Sequence, residues 1–173
     1  FWNDFFYYIA SFMDNFEPIR WRYSHYHHHT YTSFNDPVDY EIHVKKPTDL
    51  LVFFSHYIPF SGFVFFKNSL HWETIKHALG ISTDVMKVCI PENERSKCRW
   101  SARSHVYIWV ATLVCSIYFQ SWLPLLFIVL PNFYGKTLIM LMGLTQHAGL
   151  QEDIKDHRFT TRTVYLNPVF SFL

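Results

Sequence analysis

SHVYIWVATLVCSIYFQSWLPLLFIVLPNFYG, residues 104–135, contains no Asp, Glu, Lys or Arg. At about 1.5 Å per helical residue this stretch is too long for one crossing of a hydrocarbon core roughly 30 Å thick, which needs about 20 residues. Pro124 divides the stretch, because proline suits the first turn of a helix and disrupts a helix interior. We therefore predict a transmembrane hairpin, with one span near residues 104–122, a tight turn, and a second span near 124–145.

Basic residues flank the predicted hairpin on both sides and are absent from its turn. They are Lys87, Arg95, Lys97, Arg99 and Arg103 before it, and Lys155, Arg158 and Arg162 after it. Because cytoplasmic loops carry the excess of Lys and Arg, both outer flanks are predicted to be cytoplasmic. The hairpin then returns the chain to the side it left, which places His147 on the same face of the membrane as the residues that precede the first span.

Composition narrows the class of protein. The chain has 173 residues, of which 50% are hydrophobic and 20% aromatic, with a formal net charge of +1. No block of Lys and Arg is interleaved with aromatics, so nothing suggests a nucleic-acid partner. The three cysteines show no CxxC spacing, which argues against a disulfide framework or a zinc knuckle and fits a reducing, cytosol-facing surface.

A cluster of imidazoles lies near the start of the chain, in Trp21-Arg22-Tyr23-Ser24-His25-Tyr26-His27-His28-His29-Thr30. On a helix His25, His28 and His29 share one face, while His27 turns away. Neutral imidazole is the commonest protein metal ligand and suits iron, zinc and copper alike. A solvated polar run, a tag-like patch or a pH-sensitive surface are the alternatives. The aromatic and basic flanks resemble no tag or low-complexity tract, so metal binding is favoured.

A second motif follows the predicted hairpin. His147 is a candidate fourth ligand, and the residues after it are dense in hydrogen-bonding groups that can orient imidazoles and tune their basicity. These candidate supporting residues are Asp153, Asp156, His157 and Arg162. The alternative is a solvated, basic stretch next to the membrane.

The predicted fold is an all-α integral membrane protein, with a transmembrane helical hairpin plus interfacial and cytoplasmic helices. Residues 49–66 are apolar, but a crossing there would separate the two histidine groups by the bilayer, so we predict an interfacial or re-entrant segment. The predicted segments are 1–48 with the histidine cluster, 49–66 interfacial or re-entrant, 67–103 cytoplasmic, 104–145 the hairpin, and 146–173 cytoplasmic with the second motif.

Taken together, these residues closely resemble the membrane fatty acid desaturase family. The resemblance rests on the Trp21–Thr30 run, on the hairpin, and on the run from Thr145 to Pro168 that includes Thr145-Gln146-His147-Ala148-Gly149-Leu150, Asp156-His157-Arg158, Thr161-Arg162-Thr163 and Asn167-Pro168. It implies a four-span helical membrane enzyme in which histidine boxes hold two iron ions on the cytoplasmic side. Members use O2 and two electrons, from a ferredoxin or cytochrome b5 system, to abstract hydrogens from an acyl chain.

Carried over by motif, His25, His28 and His29 match the middle histidine box, and His147 matches the additional histidine after the last span. The resemblance therefore implies a fatty acid desaturase acting on an acyl-lipid or acyl-CoA, with the metal site facing the cytoplasm. The family's first box is expected before Phe1 and its last box after Leu173, so residues 1–173 are expected to be a partial domain, an incomplete and inactive fragment. Gly143 stands where related proteins often have a supporting polar residue.

An acyl chain dissolved in lipid can slide sideways into a slot lined by large apolar side chains, and positioning there selects the carbon that reacts. Candidate lining residues are Trp109, Phe119, Trp122 and Phe127, with lipid contact or helix packing as the alternative for each. Within the same class, a di-iron membrane hydroxylase acting on alkanes, sterols, carotenoids or sphingoid bases carries similar boxes. A non-enzymatic haem-binding or structural membrane protein is the alternative from another class.

Overall fold

The computed structural model describes residues 2–14, 16–32, 34, 36, 38–39, 46–51, 70–131, 142–154, 156–165 and 167–168. The regular structure in these ranges is entirely helical, which confirms the all-α prediction. The helices with both bounds in these ranges include α1 (Trp2–Met13), α2 (Pro18–Tyr31), α3 (Leu70–Ala78), α4 (Asp84–Cys89), α5 (Glu92–Tyr118), a π-helical segment (Leu125–Val129) and α6 (His157–Thr160).

The described residues include only parts of two predicted membrane segments, the interfacial segment 49–66 and the second span 124–145. Residues 52–66 of the predicted interfacial segment and residues 132–141 of the second predicted span lie outside the described residues. In the part of the chain that the structure does describe, no helix combines the length and the apolar character needed to cross a membrane.

The start of α2, the helix with the histidine cluster, is fixed by local contacts. The Glu17 carboxylate caps the helix by accepting hydrogen bonds from the backbone N–H groups of Ile19 (3.1 Å) and Arg20 (2.6 Å). Proline occupies the first helical position, where its missing N–H costs nothing. Phe16, just before the cap, stacks on Trp21 with ring centroids 3.9 Å apart, which is a hydrophobic staple that sets the entry angle of the chain.

A small apolar core holds α2 against α4 and α5. Ile19, Met86, Ile90 and Cys98 are all buried together, and Tyr23 and Cys89 pack at its edge. The helix pairs α2–α4, α2–α5 and α3–α5 are in contact, so this core lies under the first turns of α2. The three cysteines are free thiols.

Charged and polar groups are buried beside that core. Arg20 Nε lies 3.2 Å from Glu73 Oε2, and both side chains are only 3% exposed, so a buried ion pair ties α2 to α3. The Cys98 thiol donates to Glu17 Oε2 (3.3 Å), and its sulfur lies 3.6 Å from His77 Nδ1. Burial, followed by the nearby Glu17 carboxylate, raises the pKa of the Cys98 thiol, which keeps it protonated.

The long helix α5 has an unusual distribution of polarity. Its buried residues include small or polar side chains, Ser101, His105, Thr112 and Ser116. Most of its exposed residues in the charge-free half are large and apolar: Tyr107, Ile108, Val110, Leu113, Val114, Ile117 and Tyr118. The helix is continuous from the predicted cytoplasmic segment into the first predicted span, so the boundary placed at residue 103 falls inside α5.

The chain turns sharply after α5, where the sequence predicted a tight connection. The N–H of Ser121 bonds to the carbonyl of Ser116 at 3.0 Å, and Gln120 adopts a φ of 48° in the left-handed region. This is the usual geometry of a helix C-terminus. The chain is helical again from residue 123, so Pro124 (φ −59°) lies in a first helical turn, as predicted.

We predict that Glu73→Gln lowers the free energy of unfolding by about 3 to 5 kcal/mol, because it leaves the buried guanidinium of Arg20 without its counter-charge. Chemical denaturation monitored by circular dichroism measures the change. The matched control is Lys87→Gln, which removes one charge from the exposed pair with Asp84 (3.6 Å) and should leave the unfolding midpoint unchanged. Equal effects of the two variants would contradict the assignment.

A pH dependence follows from His77, which is fully buried and hydrogen-bonded through Nε2 to Thr83 Oγ1 at 2.8 Å. Burial, and then the positive charges of Arg20, Arg99 and Lys76, lower the pKa of His77 from 6.5 to about 4. As the pH falls through this window, the unfolded chain takes up a proton that the folded protein does not. The neutral imidazole therefore contributes stability that is fully present above pH 6.5 and is lost on acidification, by roughly 3 kcal/mol at most.

We expect the free energy of unfolding of His77→Gln to fall less between pH 7 and pH 4.5 than that of the unchanged protein. Denaturation curves at several pH values measure both slopes. Other groups titrate in the same range, so the difference between the two proteins, rather than either slope alone, tests the role of His77. Parallel pH profiles would show that His77 is not the group responsible.

Candidate metal centre

The helical periodicity of α2 places His25, His28 and His29 on one face. The ring centroids of His25 and His29 are 4.5 Å apart, and that of His28 lies 6.0 Å from His25 and 5.8 Å from His29. The Nε2 atoms of His25 and His29 approach to 3.1 Å. The cluster lies in the second half of the helix, beyond the capped first turn.

His147 comes to this face from the other end of the chain. Residues 142–147 are helical, and the His147 ring meets the His28 ring edge to face with centroids 5.5 Å apart. The structure therefore brings together all four histidines that the sequence singled out as ligands. Their role as ligands stays a prediction.

Hydrogen bonds at Nδ1 orient two of these rings. His28 Nδ1 lies 2.7 Å from Asp39 Oδ2, and the two side chains are 4% and 3% exposed. His147 Nδ1 lies 3.1 Å from the backbone carbonyl of Thr160. Carboxylate and carbonyl oxygens accept, so Nδ1 carries a hydrogen in both rings, and in the neutral form of each imidazole the lone pair is then on Nε2. Each Nε2 is then the nitrogen that can bind a metal.

Asp39 contacts the histidine cluster and was not among the residues predicted from the sequence. It lies outside regular secondary structure, after α2, and binds the most buried histidine of the cluster. A carboxylate that accepts from a ligating imidazole fixes its tautomer and raises its basicity. The Asp36-Pro37-Val38-Asp39 run just after the histidines was the available signal, but spacing could not tell which acid reaches which ring.

His27 is directed elsewhere, as the helical spacing predicted. Its Nε2 lies 2.7 Å from Asp36 Oδ2, and its ring packs beside Tyr31 with centroids 4.6 Å apart. Two neighbouring histidines of α2 therefore pair with two acids of the same segment, one pair buried and the other partly exposed.

The structure describes contacts of Arg162 and Asp156, two of the supporting residues predicted from the second motif, and their role at the site stays a prediction. The N–H of Arg162 bonds to the carbonyl of Gln146, and its guanidinium bonds to that of Ala148, so Arg162 holds the backbone on both sides of His147. Asp156 pairs with the exposed Arg158 at 2.6 Å. The His157 side chain lies outside the described residues, and a role for Asp153 stays a prediction.

The four aromatic residues proposed to line a substrate slot divide into two groups. Phe119, Trp122 and Phe127 are strongly exposed, as expected for rings that face lipid, the alternative considered for them. Trp109 is half-buried, and its ring contacts those of His71 (5.9 Å) and His105 (6.4 Å). A slot-lining role stays a prediction for all four, and among them the packing of Trp109 fits it best.

The donor set matches a transition metal in its chemistry. Imidazole suits iron, copper and zinc, and two nitrogens bound in adjacent positions at about 2.1 Å from one ion lie about 3 Å apart. The separation of 3.1 Å between the Nε2 atoms of His25 and His29 fits this spacing. Among the described residues, however, no group of three or more His, Cys, Asp or Glu side chains is arranged to hold an ion. The His25–His29 pair therefore has the spacing of two ligands of one ion, whereas the four neighbouring imidazoles are not arranged around one common point.

The profile of the family described as fatty acid desaturase matches residues 1–173. The chain therefore belongs to the fatty acid desaturase family, as its motifs indicated. Members of this family are lipid-modifying oxidoreductases that generally depend on a di-iron centre and are typically membrane-associated. Searches of curated proteins and of solved structures return no match.

We predict that Asp39→Asn weakens metal binding by about 10- to 100-fold, because a neutral amide neither fixes the His28 tautomer nor raises its basicity as a carboxylate does. Titration with Co²⁺, followed by its visible absorption, measures the dissociation constant. Asp36→Asn is the matched control, since Asp36 binds His27 and an amide oxygen still accepts from the N–H of Val38 (2.9 Å). Equal affinities of the two variants would contradict the assignment.

Proposed function

We propose that this chain forms part of the di-iron centre of a membrane fatty acid desaturase, with the site facing the cytoplasm. The substrate is an acyl chain carried as acyl-lipid or acyl-CoA, and the electron donor is a ferredoxin or cytochrome b5 type protein. The observation that carries the proposal is the meeting of His147 with the His25–His29 face of α2, in a chain of the fatty acid desaturase family.

The reaction removes two hydrogens from adjacent methylenes. With O2, two electrons from the donor and two protons from water, these hydrogens leave as two molecules of water, and a double bond remains. Iron, when bound by the histidines, would activate O2 for attack on an unactivated C–H bond. Of the protein's own groups, Asp39 holds His28 and the Thr160 carbonyl holds His147, so each Nε2 lone pair has a fixed direction before metal binds.

We further propose that the charge-free half of α5 contacts lipid and belongs to the first arm of a transmembrane hairpin. In water, a helix turns its apolar side chains inward, whereas α5 exposes residues such as Leu113 and Ile117 and buries Thr112 and Ser116. Small and polar residues at helix contacts, with large apolar ones outside, are typical of helices that pack within a bilayer. The basic residues at both ends of the hairpin favour a cytoplasmic orientation.

We propose that the acyl chain enters sideways from the lipid and passes the inner face of α5. Trp109 lies on that face between His71 and His105, with Phe12 of α1 against His105 at 5.1 Å. Large rings of this kind can hold one methylene in place near a reactive centre, which is how position along an acyl chain is selected.

The test is product analysis in cells that lack the activity and express the complete reading frame. We expect new acyl chains lighter by two hydrogens, about two iron ions per polypeptide, and loss of the product in His28→Ala. His27→Ala is the matched control and should retain the product, because His27 is directed toward Asp36. A product that gains one oxygen would identify a hydroxylase instead, and product from His28→Ala would overturn the ligand assignment.

A further inference from the structure

A column of aromatic rings leads from the start of α2 into the histidine cluster. The Phe16 and Trp21 rings stack with centroids 3.9 Å apart and planes at 12°. Trp21 stacks in turn on His25, at 4.6 Å and 21°, and His25 lies nearly parallel to His28, at 6.0 Å and 14°. The contact between Trp21 and His25 follows from their i, i+4 spacing on one helix face.

The far end of the column is anchored in the fold. Phe16 is 3% exposed, and it precedes the Glu17 cap whose carboxylate binds two backbone N–H groups. The indole of Trp21 is therefore held between a fixed ring on one side and His25 on the other. A sandwiched indole has little freedom to tilt, because protein interiors are close-packed.

We propose that Trp21 is a positioning residue for the metal centre: its indole face sets the ring plane of His25 and thereby aims His25 Nε2 at the point it shares with His29 Nε2. The ligand of this pair is a divalent first-row transition metal. The inference rests on the proposed function, because it assigns Trp21 a role at the same metal site.

The need for such a surface follows from the imidazole side chain. The second side-chain torsion of histidine is broad, so a ring on a partly exposed helix face samples many orientations. His28 and His147 are oriented by hydrogen bonds at Nδ1, and His25 has the broad face of Trp21 against its ring. A turn of the His25 ring plane would move its Nε2 atom away from the 3.1 Å contact with His29 Nε2.

The experiment compares Trp21→Phe, which keeps a stacking ring, with Trp21→Leu, which keeps apolar volume and removes the ring. Each protein is titrated with Co²⁺ at the full chain length, and both the dissociation constant and the position and intensity of the visible absorption band are recorded. We expect Trp21→Leu to bind roughly 2- to 10-fold more weakly, the change that corresponds to one stacked aromatic pair, with an altered band. Trp21→Phe should restore both values toward those of the unchanged protein.

Two further variants keep the inference falsifiable. Trp72→Leu removes an exposed indole that contacts Lys76 on α3 and should change neither the affinity nor the band. Phe16→Leu loosens the indole without removing it and should shift the band in the same direction as Trp21→Leu, by less. If Trp21→Leu loses its helical circular dichroism, Phe16→Leu decides the question, and an unchanged band there would overturn the inference.

The outcomes separate this inference from the proposed function. If the unchanged protein binds Co²⁺ and Trp21→Leu gives the same affinity and the same band, the positioning role of Trp21 is wrong while the metal site stands. If the unchanged protein binds no Co²⁺, the metal site fails and the role of Trp21 fails with it.

Discussion

The buried ion pair between Arg20 and Glu73 fixes α2, the helix that contains the histidine cluster, against α3. A guanidinium that is 3% exposed must keep its counter-charge, so α2 cannot shift along α3 without leaving a charge unpaired in the interior. Glu17 adds to this restraint, because the same carboxylate caps α2 and accepts the thiol hydrogen of Cys98 from α5. The first turn of α2 is thereby attached to two other helices. The histidine face lies on the following turns of the same rigid helix, so the attachment of the first turn also fixes the position of the histidines.

Polarity is arranged in two different ways along the chain. Around the first turn of α2, an apolar core of Ile19, Met86 and Ile90 coexists with buried but paired charges, as in a water-soluble domain. Along the second half of α5 the arrangement reverses, with small polar residues inside and large apolar residues outside. Helix α5 takes part in both arrangements: its first half contributes Cys98 to the apolar core, and its second half exposes the large apolar residues. This is the pattern expected where a helix passes from an aqueous surface into lipid, and it supports the membrane association proposed for this member of the fatty acid desaturase family.

Sequence analysis predicted those features that depend on neighbouring residues. The HxxHH spacing predicted the common face of His25, His28 and His29, and Pro124 predicted the turn between two helical segments. The contacts that orient the imidazoles are harder to predict from sequence. Supporting groups were expected among the residues that follow His147, and the Thr160 carbonyl does bind His147 there, whereas the contact of Asp39 with His28 comes from the segment after α2. A carbonyl carries no sequence signal, and an acid in irregular structure can be assigned to a ring only when the path of the backbone is known.

The sequence by itself determined the family, the helical form of the histidine segment and the face on which its ligands lie, because capping, periodicity and i, i+4 contacts act within a few residues. The Phe16–Trp21 staple and the stacking of Trp21 on His25 are also contacts between residues close in sequence. Their relation to the histidine cluster became clear only from the ring positions in the structure. Only the tertiary structure decided that His147 meets His28, that Asp39 rather than Asp36 reaches the buried ring, and that α2 is anchored to Glu73. These are contacts between segments far apart along the chain, and their formation depends on how the whole chain packs rather than on any local pattern.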